Sequence, residues 1–152
     1  MTYSIEAYYR HEHDDEPVVL RADDDVDRLV DALLAESFDH TLAALYVTNR
    51  PATEQGYPDH DFRVGVNPER KVGGLKFAGT FNGVKGVWYA VGEASQATNV
   101  VYEYSGHPED FPLDSEISLD QVRESVKRFL KDGGERPDSI EWKAWPEEKR
   151  VL

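Results

Sequence analysis

Residues 72–112 read VGGLKFAGTFNGVKGVWYAVGEASQATNVVYEYSGHPEDFP, and this stretch decides the fold. Leu75 and Phe77 share one face of a first strand. Val87, Tyr89 and Val91 alternate along a second, and Val100, Tyr102 and Tyr104 along a third, the period of two that a half-buried strand shows. Asn82-Gly83 stands between the first two. Both residues accept positive φ, which a type I′ turn requires at its two central positions, so the dipeptide sets a hairpin and its register. The stretch is predicted to be an antiparallel meander of consecutive strands.

Upstream, Tyr3, Ile5, Ala7 and Tyr9 alternate with polar or outward positions, and Pro17 to Arg21 adds a second short apolar run. This predicts an opening hairpin, joined by His11 to Glu16, a connection without an apolar residue and so expected to be a solvated loop. Asp23, Asp24 and Asp25 suit the positive end of a helix. Val26, Leu29, Val30, Leu33 and Leu34 then form the single stripe of an amphipathic helix. Leu42 to Val47 is apolar at both parities, which predicts a strand covered on both faces near the sheet centre. Asn49 to Asp61 has Pro51, Pro58 and no periodicity, and reads as the longest irregular loop, of a length that compact domains keep for function or leave disordered. Phe62, Val64 and Val66 make a short strand closed by Asn67-Pro68.

Downstream, Gly106 to Ser115 reads as a turn-rich connector. Ser118 with Gln121 has the form of a capping box, and Leu119, Val122, Val126, Phe129 and Leu130 supply the buried stripe of a second helix. Gly133-Gly134 and Pro137 stop it. Ile140 to Trp145 is a last strand, and Pro146 to Leu152 a charged, frayed end. The sum is one α+β domain over residues 1–152, a mostly antiparallel sheet of about seven or eight strands with two packed helices.

The 152 residues carry a formal net charge of −13. Such a surface repels nucleic acid and anionic lipid and attracts basic partners. Without cysteine there are no disulfides, thiolate nucleophiles or Cys-ligated zinc, and the chain suits a reducing cytoplasm. The opening MTYSIEAYYRHEHDDE lacks the pattern of a signal peptide, and no segment is apolar for the roughly 18 residues that a membrane span needs.

Motifs that suggest chemistry fall short of it. His11 and His13 lack a third ligand at a defined spacing. His107-Pro108-Glu109 matches the His-x-Glu of zinc deaminases, but the Pro-Cys-x-x-Cys half of that signature cannot exist here, so the tripeptide reads as a turn. Gly73-Gly74 matches neither a Walker A nor a Rossmann loop and reads as a bulge or a close backbone approach. No nucleophile, base and orienting group can be named together, so no catalytic residue, metal or cofactor is assigned.

In the second half of the chain the order of motifs is more telling than any one of them. Gly74-Leu75-Lys76-Phe77-Ala78-Gly79, Trp88-Tyr89, Tyr102-Glu103-Tyr104-Ser105-Gly106-His107, Phe111-Pro112, Ser115-Glu116-Ile117, Gly133-Gly134-Glu135-Arg136-Pro137 and Glu141-Trp142 follow one another as in the first of the numbered immunity-protein families, Imm1, of bacterial polymorphic toxin systems. This region resembles that family; before about Val64 the match is one of layout, a strand and then a helix. The resemblance implies an antitoxin, not an enzyme, that neutralises a toxin encoded beside it, commonly a nucleic-acid deaminase. Such a toxin needs a basic groove for phosphates, which an acidic inhibitor can fill. On this reading Glu103, Tyr104, His107, Glu109 and Asp110 are the candidate toxin-binding residues, Tyr104 as anchor and the carboxylates as phosphate substitutes, flanked by the long loop. The alternative is a small-molecule-binding or enzymatic α+β domain with a pocket lined by the meander aromatics. Metabolic rather than toxin genes as neighbours would favour it.

Overall fold

A computed structural model describes residues 2–93 and 99–147. Its elements run β1 (Ile5–Tyr8), β2 (Val18–Leu20), α1 (Asp23–Ala35), β3 (Leu42–Val47), β4 (Asp61–Asn67), β5 (Val72–Phe81), β6 (Val84–Ala90), β7 (Val100–Tyr104), β8 (His107–Phe111), β9 (Ile117–Ser118), α2 (Leu119–Lys131) and β10 (Trp142–Ala144). Eight of the strands form one sheet in the order β10-β6-β5-β4-β3-β1-β2, with β9 on the end of β5. Every pairing is antiparallel. The α+β class with two helices is thus as the sequence predicts.

The predicted hairpin turn is present: Asn82 has φ 51° and Gly83 φ 78°, and Phe81 pairs with Val84. The opening hairpin closes with Ile5 opposite Leu20. Both helices lie on one face of the sheet, where Val26, Leu29, Val30 and Leu33 of α1 and Val122, Val126, Phe129 and Leu130 of α2 join Leu45, Phe62, Val64, Leu75 and Phe77 in the main core. Ser118 caps α2 as read: its Oγ accepts from the Gln121 amide at 3.1 Å, and Gln121 Oε1 accepts from the Ser118 amide at 2.9 Å. Asp25 of α1 reaches back instead, accepting from the amides of Arg21 and Ala22. Arg123 and Lys127 of α2 bridge the helices to Asp27 and Asp31.

Three sequence expectations need correction. The third strand of the expected meander, β7, does not pair with β6, because β10 already occupies that edge with Trp142 opposite Ala90. The expected connector after Gly106 is instead strand β8, which pairs with β7 across a two-residue turn, Ser105 (φ 47°) and Gly106 (φ 82°). Pro108 obscured this strand in the sequence; proline is admitted there because β8 is an edge. Finally, His11–Asp14 is a 3-10 turn rather than a plain solvated loop, and His13 within it is buried. Residues 148–152, read as part of a frayed end, lie outside the described residues.

Candidate partner-binding face

The β7–β8 hairpin lies across the sheet face opposite the helices, and the glycines beneath it explain how it fits. The Tyr102 ring rests on Gly65 of β4 and Gly74 of β5, where a Cβ on Gly65 would come within 2.4 Å of Tyr102 Cγ. Gly74 is therefore a close approach, one of the two readings open from sequence. Tyr102, Phe111, Trp145, Tyr89, Val100 and Leu42 form a second core between hairpin and sheet. Leu42–Val47 is accordingly covered on both sides, by the helices at Ala43, Leu45 and Val47 and by the hairpin at Leu42.

Polar contacts fix the hairpin's direction. The Thr41 amide donates to the Glu103 carbonyl at 3.0 Å, and the Glu103 amide donates to Thr41 Oγ1 at 2.9 Å, so the outer edge of β7 is tied to the start of β3. On the β8 side, Glu109 accepts from Lys76 Nζ at 2.6 Å and stands 3.9 Å from Arg63. Arg63 itself forks onto Asp61 at 2.8 and 3.1 Å and lies 5.2 Å from the centre of the Tyr104 ring. Burial opposes the charge of the half-buried Arg63 guanidinium, but those carboxylates outweigh it and raise its pKa.

All five sequence-predicted residues therefore sit on one hairpin, but on two sides of it. Tyr104, opposite His107, and Glu109, opposite Tyr102, belong to the side facing the sheet. Glu103 and Asp110 point the other way, with Val101 and Pro108. His107 and Asp110 are exposed, Glu103 and Tyr104 half-buried. Glu109 is already neutralised by lysine and arginine.

Beyond the hairpin's turn the same sheet face carries Tyr8 and Tyr46, both half-buried. Tyr8 and Tyr46 meet edge to face at 5.9 Å, and Tyr46 donates to Asp61 at 2.8 Å. Burial first, and then the Asp61 carboxylate, push that phenol's pKa up. The long loop closes this half. A cleft of about 250 Å³ separates Glu6, Tyr8 and Tyr46 from Pro51, Ala52 and Pro58, and one of about 370 Å³ lies between Tyr46, Tyr57 and Ala78. Both are open and sit near or below the bottom of the roughly 300–1,000 Å³ range of small-molecule sites. Sequence reading missed Tyr8 and Tyr46 because alternation showed which side they take but not which half of that side the hairpin covers.

His60 anchors the loop. Its Nε2 accepts from the Val47 amide at 2.8 Å while Nδ1 meets Asp59 at 2.8 Å. With both nitrogens engaged it is no general base. His13 Nδ1 likewise accepts from the Tyr9 and Arg10 amides. Burial holds both imidazoles below their ordinary pKa, more than Asp59 beside His60 or Glu12 beside His13 raises it. A depressed histidine pKa favours the neutral form in the folded state, so its stabilisation is complete above the unfolded value of about 6.5 and is lost as pH falls below it. The unfolding free energy from urea titrations should fall between pH 7 and pH 5, by at most about 1.4 kcal/mol per pH unit for each histidine. Lowered carboxylates such as Asp27 and Asp59 act only near and below about pH 4. A flat profile from pH 7 to 5 would contradict the neutral assignments.

Among the described residues no group of three or more histidines, cysteines or carboxylates is placed to hold a metal ion, and no helix is long and apolar enough to cross a membrane. What the geometry does offer is an aromatic and acidic sheet face, half roofed by a carboxylate-edged hairpin. The chain is an immunity protein by family. The model of the family described as Immunity protein Imm1 matches residues 14–144, most of the chain, and the chain belongs to that family. The match begins well before Val64 and takes in β2 to β10, so the kinship extends further than the second-half motifs alone. No curated protein matches the sequence.

Proposed function

We propose that this chain binds and neutralises a toxin that is a nucleic-acid deaminase of the cytidine type, by occluding its substrate groove, in the cytoplasm and without chemistry of its own. The observation that carries the docking site is the division of charge on the β7–β8 hairpin. Glu109 is spent on Lys76 and Arg63, whereas Glu103 and Asp110 share the outward side and form no ion pair among the described residues. Those two carboxylates stand in for substrate phosphates, His107 meets the toxin at the turn, Tyr104 forms the aromatic rim, and Glu109 holds the hairpin in place. Pro108 suits this use, since it deprives the exposed β8 edge of a donor and discourages pairing with a second copy of the chain.

The test is co-expression with the adjacent toxin domain, scored by cell survival and co-purification. Glu103→Gln with Asp110→Asn keeps shape and removes charge; binding is expected to weaken at least roughly tenfold, about 1.4 kcal/mol. If the parent neither protects nor co-purifies, the immunity reading is wrong. If the double variant matches the parent, docking lies elsewhere and the immunity reading stands.

A further inference from the structure

The half of the sheet face under the long loop carries a second group of aromatic and acidic side chains. Glu6 of β1 and Tyr46 of β3 are cross-strand neighbours, and Tyr8 packs its ring against Tyr46. Burial, and then the charges of Glu6, Tyr104 and Asp14, raise the Tyr8 phenol's pKa. Glu6 has no ion-pair partner among the described residues, and Asp14 has only the exposed His11 at 3.8 Å. The nearby cations are committed: Arg50 of the same cleft to Asp59 and the Gly134 carbonyl, Arg63 to Asp61 and Glu109. Half-buried tyrosines beside an unpaired carboxylate thus line a cleft of about 250 Å³, sized for a side chain rather than a cofactor.

We propose that this cleft receives an arginine side chain of the toxin, its guanidinium lying against Tyr8 and Tyr46 and paired with Glu6. Charge complementarity selects the occupant. At −13 the chain repels a second copy of itself and nucleic acid, and attracts a basic protein surface. Arginine suits tyrosine walls better than lysine because its planar, weakly hydrated cation stacks on rings while its fork pairs with a carboxylate. The fold already seats its own cations in this way: Arg63 over Tyr104 at 5.2 Å, Lys76 over Trp145 at 4.1 Å and Arg136 over Phe81 at 3.4 Å. The cleft lies on the sheet face bordered by Tyr104, so one partner could span hairpin and cleft.

This inference rests on the immunity reading, and the experiment separates the two. The inactivated toxin domain encoded beside this chain is titrated calorimetrically against the parent and against Glu6→Gln, Tyr8→Ala, Tyr8→Phe and Asp24→Asn, the last an exposed acid of α1. Glu6→Gln and Tyr8→Ala should each weaken binding roughly tenfold, while Tyr8→Phe, which keeps the ring, and Asp24→Asn should stay within about twofold. Glu6→Gln is isosteric, so its result does not hinge on folding. Parental affinity in both Glu6→Gln and Tyr8→Ala overturns the cleft and leaves the immunity reading intact. Equal loss in Asp24→Asn overturns it too, by showing long-range attraction only, and no binding by the parent overturns both readings.

Discussion

Leu33→Asp should leave no folded domain at 25 °C. Leu33 is fully buried on the α1 stripe and joins the core that both helices share with the sheet. The change removes a large apolar side chain, worth about 2–5 kcal/mol by itself, and sets a carboxylate in the apolar core. Arg123 and Lys127 of α2, which face α1, are engaged with Asp27 and Asp31. Together the losses reach about 5 kcal/mol or more, comparable with the lower end of a typical domain's whole stability. Circular dichroism should show lost helix and no cooperative melt. Ala35→Asp, the same carboxylate two residues on at an exposed position, should change stability by less than about 1 kcal/mol. A Leu33→Asp protein that melts like the parent would mean that α1 does not pack on the sheet through this stripe.

The residues in that prediction could be chosen from sequence, because periodicity reports which side of an element is buried. Val26, Leu29, Val30 and Leu33 announce one face of a helix, and Leu42 to Val47, apolar at both parities, announces a strand with cover on both faces. Periodicity does not report what supplies the cover. Nothing in Val100, Tyr102 and Tyr104 distinguishes a third meander strand from one laid across the sheet, since both bury alternate residues. The choice is made far away in the chain, by Trp142–Ala144 taking the free edge of β6 and by glycines 65 and 74 leaving room for a ring. His13 and His60 were unreadable for a related reason: a histidine in a polar segment looks solvated until the backbone amides it accepts from are known.

The same limit governs the candidate site. Glu103, Tyr104, His107, Glu109 and Asp110 are adjacent in sequence and adjacent in space, so their grouping was legible. Their division was not. Parity places Glu109 beneath the hairpin, but that it is neutralised there depends on Lys76 and Arg63, which come from two other strands. Glu6, Tyr8 and Tyr46 lie nearly a hundred or more than fifty residues from the hairpin, and only the sheet order makes them its neighbours on one face.

The link between the glycines and the hairpin gives the second large effect, in Gly65→Ala. At a β4 position whose φ suits any residue, this change would ordinarily stabilise slightly, by about 0.4–1 kcal/mol, through the unfolded chain. Here the new methyl would sit 2.4 Å from Tyr102 Cγ and 2.7 Å from both Cδ atoms, closer than real Cβ contacts come. Because Tyr102 is itself wedged against Phe111 at 4.9 Å, and Phe111 against Trp145 at 5.1 Å, the ring cannot move alone and the hairpin must rise from the sheet. The expected cost is about 3 kcal/mol, the upper end of overpacking, or a fall of roughly 6–12 °C in Tm. Toxin protection should fall with it, since Glu103 and Asp110 are carried by that hairpin. A double-mutant cycle with Tyr102→Leu separates this from any general harm of a methyl in β4. Alone, Tyr102→Leu destabilises by leaving a gap; combined, the two changes should lose clearly less than their sum, with a coupling of about 1 kcal/mol or more. Additive losses, or a Gly65→Ala protein as stable as the parent, would show that Tyr102 does not rest on Gly65 and would remove the seat from under the hairpin.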